Sequence, residues 1–239
     1  PLDTAGTATI STTSLGVGPH ALNAAYAGDA GFAPSTSPNH PHTVDQALTN
    51  TVLTSSTEPS VVGQPVTFTA TVAPVAPGAG TVSGSVDFFD GAALVGTGTV
   101  GASGTATIST AALGVGPHSI TASYGGDAGF RGSTSAVLVQ DVVATGSTVT
   151  LSASADPTVT GEPVTFTAAV VAVPPGAVPT GSVTFTDGAA TLGVAPLDAA
   201  GTAAFTTSGL AVGRHAITAT YAGDGVVGPG ASSPVGLTR

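Results

Sequence analysis

Seven residues, Gly6-Thr7-Ala8-Thr9-Ile10-Ser11-Thr12, return unchanged 98 positions later as Gly104-Thr105-Ala106-Thr107-Ile108-Ser109-Thr110. They return again, loosened, 97 positions further on as Gly201-Thr202-Ala203-Ala204-Phe205-Thr206-Thr207. Self-similarity at a fixed period means that one structural unit is built several times over. Each copy leads through a leucine and a Gly-Pro-His or Gly-Arg-His turn into an alternating run that ends in Tyr-x-Gly-Asp: Gly18 to Asp29, Gly116 to Asp127, Gly213 to Asp224. Tyr26, Tyr124 and Tyr221, the three tyrosines of the chain, occupy this single position. Upstream, Gly63-Gln64-Pro65-Val66-Thr67-Phe68 matches Gly161-Glu162-Pro163-Val164-Thr165-Phe166, and Gly84-Ser85-Val86 matches Gly181-Ser182-Val183. The register divides the chain into a C-terminal half repeat at 1-47, a complete repeat at 48-145 and a complete repeat at 146-239.

Within a repeat the apolar residues recur every second position, the pattern of half-buried strands. Val66, Phe68, Ala70 and Val72 alternate with Thr67, Thr69 and Thr71, and Ile120, Ala122 and Tyr124 alternate with Ser119, Thr121 and Ser123. No segment carries a helical period. Asp90-Gly91 between alternating runs predicts a hairpin joining residues 84–89 to 93–96. Val66, Phe68, Val86, Phe88, Ile108, Leu113, Ile120 and Tyr124 are the expected core of the second repeat. The fold class expected is all-β, with about seven strands in each antiparallel sandwich. The short links, residues 45–50 and 143–147, predict modules set end to end.

The pattern Gly-Ser-Val-x-Phe-x-Asp-Gly, then Gly-Thr-Ala, then Leu-x-x-Gly-x-His-x-Ile-Thr-Ala-x-Tyr-x-Gly-Asp resembles the bacterial Ig-like domain repeat over nearly the whole chain. That resemblance implies tandem immunoglobulin-like sandwiches, of the kind arrayed in large secreted or surface-attached bacterial proteins, and neighbouring Ig-like modules of the same polypeptide as first partners. Two departures from the pattern stand out: the missing front half of the first repeat, and Gly225 to Gly230 in place of Ala128 to Gly132.

Composition narrows the function classes. Charged residues are 7% of the 239, with three basic against 13 acidic groups and a net charge of −10. Three arginines and no lysine leave no basic patch to neutralise phosphates, which argues against nucleic acid. The longest uninterrupted apolar run, Ala168 to Val173, stops at Pro174-Pro175, far short of a membrane-spanning helix, so no membrane insertion is expected in this segment. The absence of cysteine excludes disulfides, thiol nucleophiles and thiolate metal sites. A chain beginning at Pro1 without any methionine is expected to be a fragment or a processed product.

The candidate site residues reduce to structural roles on the same reading. His20, His118 and His215 open equivalent strands and are expected to hold a turn. His40 and His42 are unrepeated; two imidazoles without a third ligand do not make a metal site, and solvated loop histidines are expected. Asp29, Asp127 and Asp224 after Tyr-x-Gly, with Asp90 and Asp187 before glycine, sit where a carboxylate caps a turn. Calcium would need six to eight clustered oxygens, and the place for it would be a module junction near Asp45 or Asp141. Glycosidase chemistry needs two facing carboxylates, but Glu58 and Glu162 both precede prolines, and Glu162 is Gln64 in the other repeat. No catalytic, cofactor-binding or metal residues are expected, and the chain is expected not to be an enzyme.

The function expected is a structural, non-catalytic stalk or fibre segment, extracellular or at the cell surface. One alternative is an adhesin or carbohydrate-binding module that meets a host-surface or glycan ligand with the loops at one end, where Phe32 and Phe130 lie at equivalent positions. The other is a decoration or tail module of a phage particle. Residues 1-47 should be ordered only where the missing strands are supplied, the expected supplier being an upstream part of the polypeptide.

Overall fold

The computed structural model describes all 239 residues and contains strands and turns but no helix. The first 47 residues carry β1 (Gly18–Leu22), β2 (Ala25–Tyr26), β3 (Ser35–Thr36) and β4 (His40–Val44). The second repeat follows with β5 (Thr49–Ser55), β6 (Ser60–Val61), β7 (Val66–Pro74), β8 (Ser85–Asp90), β9 (Ala93–Thr99), β10 (Thr105–Thr110), β11 (Gly116–Tyr124), β12 (Ser133–Thr134) and β13 (Leu138–Val143). The third has β14 (Gly146–Ala153), β15 (Val164–Val173), β16 (Ser182–Asp187), β17 (Ala190–Pro196), β18 (Thr202–Thr207), β19 (Arg214–Tyr221), β20 (Gly230–Ala231) and β21 (Val235–Thr238).

The chain divides into two compact units: residues 1–56, 67–109 and 119–139 form one, and residues 57–66, 110–118 and 140–239 the other. In the first unit β10-β7-β5 make one sheet, and β11-β8-β9 with β12 belong to a second. Phe68, Ala70 and Val72 from the first sheet are buried with Val86, Phe88, Ile120, Ala122 and Tyr124 from the second. These are the alternate positions of each strand, and their threonine and serine neighbours face outward. Ile108 and Leu113 depart from expectation and are only half-buried. Ala106 takes the inward place on β10, whereas Ile108 lies further along, facing Gly96, where an added Cβ would meet it in ordinary contact.

In the second unit, sheets β14-β15-β18 and β17-β16-β19-β20, with β21 on β19, enclose Val164, Phe166, Val183, Phe185, Ile217 and Tyr221. Phe185 stacks on Phe205 with ring centroids 5.7 Å apart. The strands at 60–61 and 142–143 also belong here and pair in parallel, Ser60 with Val142 and Val61 with Val143.

The predicted hairpin forms with its turn one residue later. Asp90 pairs with Ala93, leaving Gly91-Ala92 as the two-residue loop, and Gly188-Ala189 repeats the arrangement. Gly91 has φ +57°, and no residue other than glycine has a positive φ, which fits a turn with glycine at its first central position. Asp90 stays in the ladder because its Oδ1 accepts the Ser119 N–H at 3.1 Å; Asp187 does the same for Ala216 at 3.1 Å.

Residues 1–47 differ sharply. Thr7–Thr12 is identical to Thr105–Thr110, yet forms no strand. In the second repeat that sequence is held by β7, and the first repeat has no counterpart of β7. No residue before Thr51 is buried.

Candidate functional site

Three recurring constellations carry the polar chemistry of the chain, and the Tyr-x-Gly-Asp loop is the densest. At Gly126, φ is +86°, and a Cβ would stand 2.8 Å from the Phe130 carbonyl, so glycine alone fits the tight return of the loop. Asp127 Oδ1 accepts the N–H groups of Gly129 (2.8 Å) and Phe130 (2.9 Å), while Oδ2 accepts the Ser83 N–H (2.8 Å) and hydroxyl (2.7 Å). Asp224 repeats the set with Val226, Val227 and both donors of Thr180. Desolvation works against the Asp127 charge, but the Ser83 hydroxyl and the N–H groups of Gly129, Ser83 and Phe130 outweigh it and hold the carboxyl at about 2. The Val227 N–H, with smaller contributions from Val226 and Thr180, holds Asp224 lower still against desolvation. Four donors engage each carboxylate and tie the loop closed.

The partner hydroxyls Ser83 and Thr180 are absent from the sequence expectations. A signal was present: a hydroxyl residue precedes the Gly-Ser-Val pattern in both complete repeats, Ser83-Gly84 and Thr180-Gly181.

The equivalent histidines hold a turn, as their positions predict. Nε2 of His20, His118 and His215 lies 2.7, 2.9 and 2.9 Å from the carbonyl of Gly16, Gly114 and Ala211, each four residues back. His215 Nδ1 also meets Asp187 Oδ2 at 2.6 Å. That carboxylate first, and the Ala211 carbonyl next, raise the imidazole above its ordinary value against desolvation; Asp187 is lowered chiefly by the same hydrogen bond. His40 and His42 lie in strand β4 rather than in a loop, which corrects the sequence expectation. His42 is the register partner of His20 across β1 and β4, a pairing that depends on strand register and so is invisible as spacing.

Asp45 and Asp141 do not converge with other ligands, and no three histidine, cysteine or carboxylate side chains gather anywhere. Glu58 is engaged instead by the Asp141 N–H, at 2.9 and 3.1 Å from its two oxygens. Gln64 and Glu162 interchange because each supplies one side-chain oxygen to the same backbone donor, the N–H of Val61 (3.0 Å) or Val159 (3.3 Å).

The third constellation is made of backbone. Ala47 donates to the Gly129 carbonyl at 2.9 Å and accepts from the Arg131 N–H at 2.8 Å. Thr145 donates to Val226 at 2.9 Å and accepts from Gly228 at 2.7 Å. Each connecting residue is thereby gripped by the Asp127 or Asp224 loop of the repeat that follows it. Beside Thr145 lies a concave surface of about 690 Å³ lined by Val61, Val62, Gln64, Pro174 and Val226 among others.

Compared with known families, residues 1–45, 53–143 and 149–238 each match the model of the bacterial Ig-like domain (group 3). The chain belongs to that family. No curated protein matches it. Among solved structures, this Ig-like chain is similar to the fibronectin(III)-like modules of Clostridium thermocellum CbhA, with 24% identity, 78% of this chain and 92% of that one covered and a TM-score of 0.33. It is similar also to the Yersinia pseudotuberculosis adhesin InvE, at 16% identity, 80% and 58% coverage and a TM-score of 0.40. A third is the Escherichia coli adhesin FdeC, at 14% identity, 95% and 87% coverage and a TM-score of 0.33. No helix of the Ig-like chain is long and apolar enough to cross a membrane.

Proposed function

We propose that this chain is a non-catalytic structural segment of an extracellular or surface-exposed bacterial stalk, composed of a half module (1-47) and two complete modules (48-145 and 146-239). The grip on Ala47 and Thr145 by the loop of the following module carries this reading. A connection tied into a folded loop by two backbone hydrogen bonds has few free torsions, so tension along the chain passes from module to module without first extending a linker. The parallel pairing of Ser60–Val61 with Val142–Val143 supports it further. These segments lie near the two ends of the second module, and pulling on those ends loads their hydrogen bonds together in shear.

The adhesin alternative needs exposed recognition groups on a loop cluster. Phe130, the loop aromatic of the complete second module, is covered, with Gly80 lying against its ring. Single-molecule stretching of the 239-residue chain tests the stalk reading. Two separate high-force unfolding events are expected, each releasing about 30 nm for some 95 residues extended at roughly 3.4 Å apiece. Rupture at the force of an unstructured chain, or saturable binding to a glycan array by the complete modules, would replace the stalk with the binding module.

A further inference from the structure

The longest uninterrupted apolar run of the chain, Ala168 to Val173, ends strand β15. Strand side chains alternate between two faces, so a run with no polar break is the pattern of a strand covered on both sides. Here only one side is covered. Val170 and Ala172 are each 2% exposed in the core, while Val171 and Val173 on the opposite face are 52% and 50% exposed. That face is the outer side of the β14-β15-β18 sheet. Ala169 lies at its centre, in register with Thr150 on β14 and with Thr202 on β18.

The hydroxyls around this run are turned into the sheet. Thr148, Thr150 and Ser152 direct theirs to the carbonyls of Val171, Ala169 and Thr167 at 3.5, 3.5 and 3.4 Å, and the hydroxyls of Thr165 and Thr206 bond each other across strands at 2.8 Å. Hydroxyls engaged within the sheet offer little to a hydrogen-bonding ligand, and methyl groups make up the surface beside them. The face is also free of charge. Strands β14, β15 and β18 contain no acidic or basic residue, whereas the facing sheet holds Asp187 on β16 and Arg214 on β19. The second module sorts its strands in the same way: β5, β7 and β10 are uncharged, with Val52 51% exposed on β5, while Asp87 and Asp141 lie on β8 and β13.

We propose that the outer face of β14-β15-β18 is an interface between two copies of this chain, packed sheet against sheet. Charge selects the occupant. With 13 acidic groups against three basic ones, two copies repel, and this face lets them meet without opposing carboxylates. Surface relief selects it too. A patch of Thr, Ala, Val and Ser has none of the aromatic or arginine anchors that mark a hot spot for a different partner, and its low, even surface complements itself about a two-fold axis. Three strands about 4.8 Å apart, each eight residues long at about 3.3 Å apiece, cover roughly 380 Å² on each copy. A pair therefore buries about 750 Å², below the roughly 1,200 Å² of a stable complex. The contact is weak and reversible, and it forms where chains are crowded together.

The chain has no cysteine, so a single introduced thiol reports its own nearest copy. Ala169→Cys places it at the centre of the face, and Thr220→Cys places it on the exposed side of the opposite sheet. The cross-linker is a bismaleimide about 8 Å long, the gap left between facing Cβ atoms by sheets roughly 10 Å apart. Covalent dimer is expected to form at least about 10-fold faster from the Ala169→Cys chain than from the Thr220→Cys chain, because association raises the effective concentration of the paired thiols. Adding Val171→Asp, or Ala204→Asp where the first variant does not fold, should remove that excess while the melting temperature stays that of the parent. In the chain without any thiol, the amide NMR shifts of residues 169–173 should move with protein concentration while those of residues 214–220 stay fixed. Equal cross-linking at the two positions, an excess that survives the added carboxylate, or shifts at 169–173 that ignore concentration would each overturn the proposal. Retention of the chain on crystalline cellulose without excess cross-linking would give the face to a polysaccharide and overturn it as well. None of these outcomes bears on the stretching of the complete modules.

Discussion

Tyr124 reaches the carbonyl of Ser83 through its phenolic hydroxyl at 2.8 Å, and Ser83 in turn gives its N–H and its own hydroxyl to Asp127, three residues after the tyrosine. The two residues close a circuit between the strand entering the Tyr-x-Gly-Asp loop and the strand entering the hairpin. Tyr124→Ala and Tyr221→Ala should each destabilise their own module by roughly 3–5 kcal/mol, as for removal of a large buried aromatic. Tyr124→Phe keeps the ring and loses one hydrogen bond, and should cost only about 0.5–1.5 kcal/mol. Denaturant unfolding followed by resolved signals from each module checks both. Equal loss from the two modules in a single transition would show that they do not unfold independently.

The Asp127 carboxyl is held at about 2 in the fold, below the ordinary carboxylate value of about 3.9. A depressed carboxyl contributes stability that is present above its unfolded value and is lost as pH falls through the folded one. The second module should therefore weaken between about pH 4 and pH 2, and Asp127→Asn should flatten that limb. Asp127→Ala, which strands donors from two segments, should cost roughly 1.5–3 kcal/mol at neutral pH. Melting temperatures across the acid range would contradict this if the substituted chain kept the full acid limb.

His215 and Asp187 give the third module an opposite limb. The imidazole is raised above its ordinary value, so its contribution is complete below about 6.5 and is lost as pH climbs through the folded value. Asp187 is lowered, and its contribution fades only in acid. Stability from the pair should be greatest from about pH 4 to 6.5 and decline as pH rises through the raised His215 value. His215→Gln should remove the alkaline decline. NMR titration of the His215 ring should place its midpoint above that of an exposed histidine; a midpoint below it would remove the basis for the limb.

What was legible in the sequence was whatever a period of two or a near-exact repeat encodes. Val66 to Val72 and Ile120 to Tyr124 announce their inward faces because strand side chains alternate. The Asp127 loop announces itself because a turn is local. Ile108 is only half-buried although its strand pattern points it inward: alternation gives the face of a strand but not where along it the opposite sheet stops covering it. The grip on Ala47 and Thr145 left no trace, because it is built from backbone groups some eighty residues apart and any side chain can carry it. Likewise His42 stands opposite His20 only through the register of β1 and β4.

Addition of EDTA or calcium should leave the melting temperature of the chain unchanged. Asp127 and Asp224 have their oxygens filled by backbone and hydroxyl donors, and calcium needs six to eight oxygens. A fall in EDTA that calcium reverses would contradict this and revive a calcium site near Asp45 or Asp141.

The two complete modules differ at one strand contact in a way that a single methyl group can expose. Gly193, opposite Phe185 in the β16–β17 pair, lies directly beneath the Phe205 ring, so a Cβ there would overlap three ring carbons. The ring is also stacked on Phe185 and has little freedom to withdraw. Its counterpart Gly96, opposite Phe88, would bring a Cβ only to ordinary contact with Ile108, at 3.5 Å. Gly193→Ala should therefore destabilise the third module by about 1–3 kcal/mol through overpacking, while Gly96→Ala should leave the second within about 0.5 kcal/mol of its starting stability. The cost at Gly193 should disappear in Gly193→Ala combined with Phe205→Ile, which copies the second module's pairing of small residue and isoleucine. Paired denaturant curves for the three variants decide it: equal costs at the two glycines, or no rescue by the isoleucine, would mean that the Phe205 ring is not what keeps position 193 small.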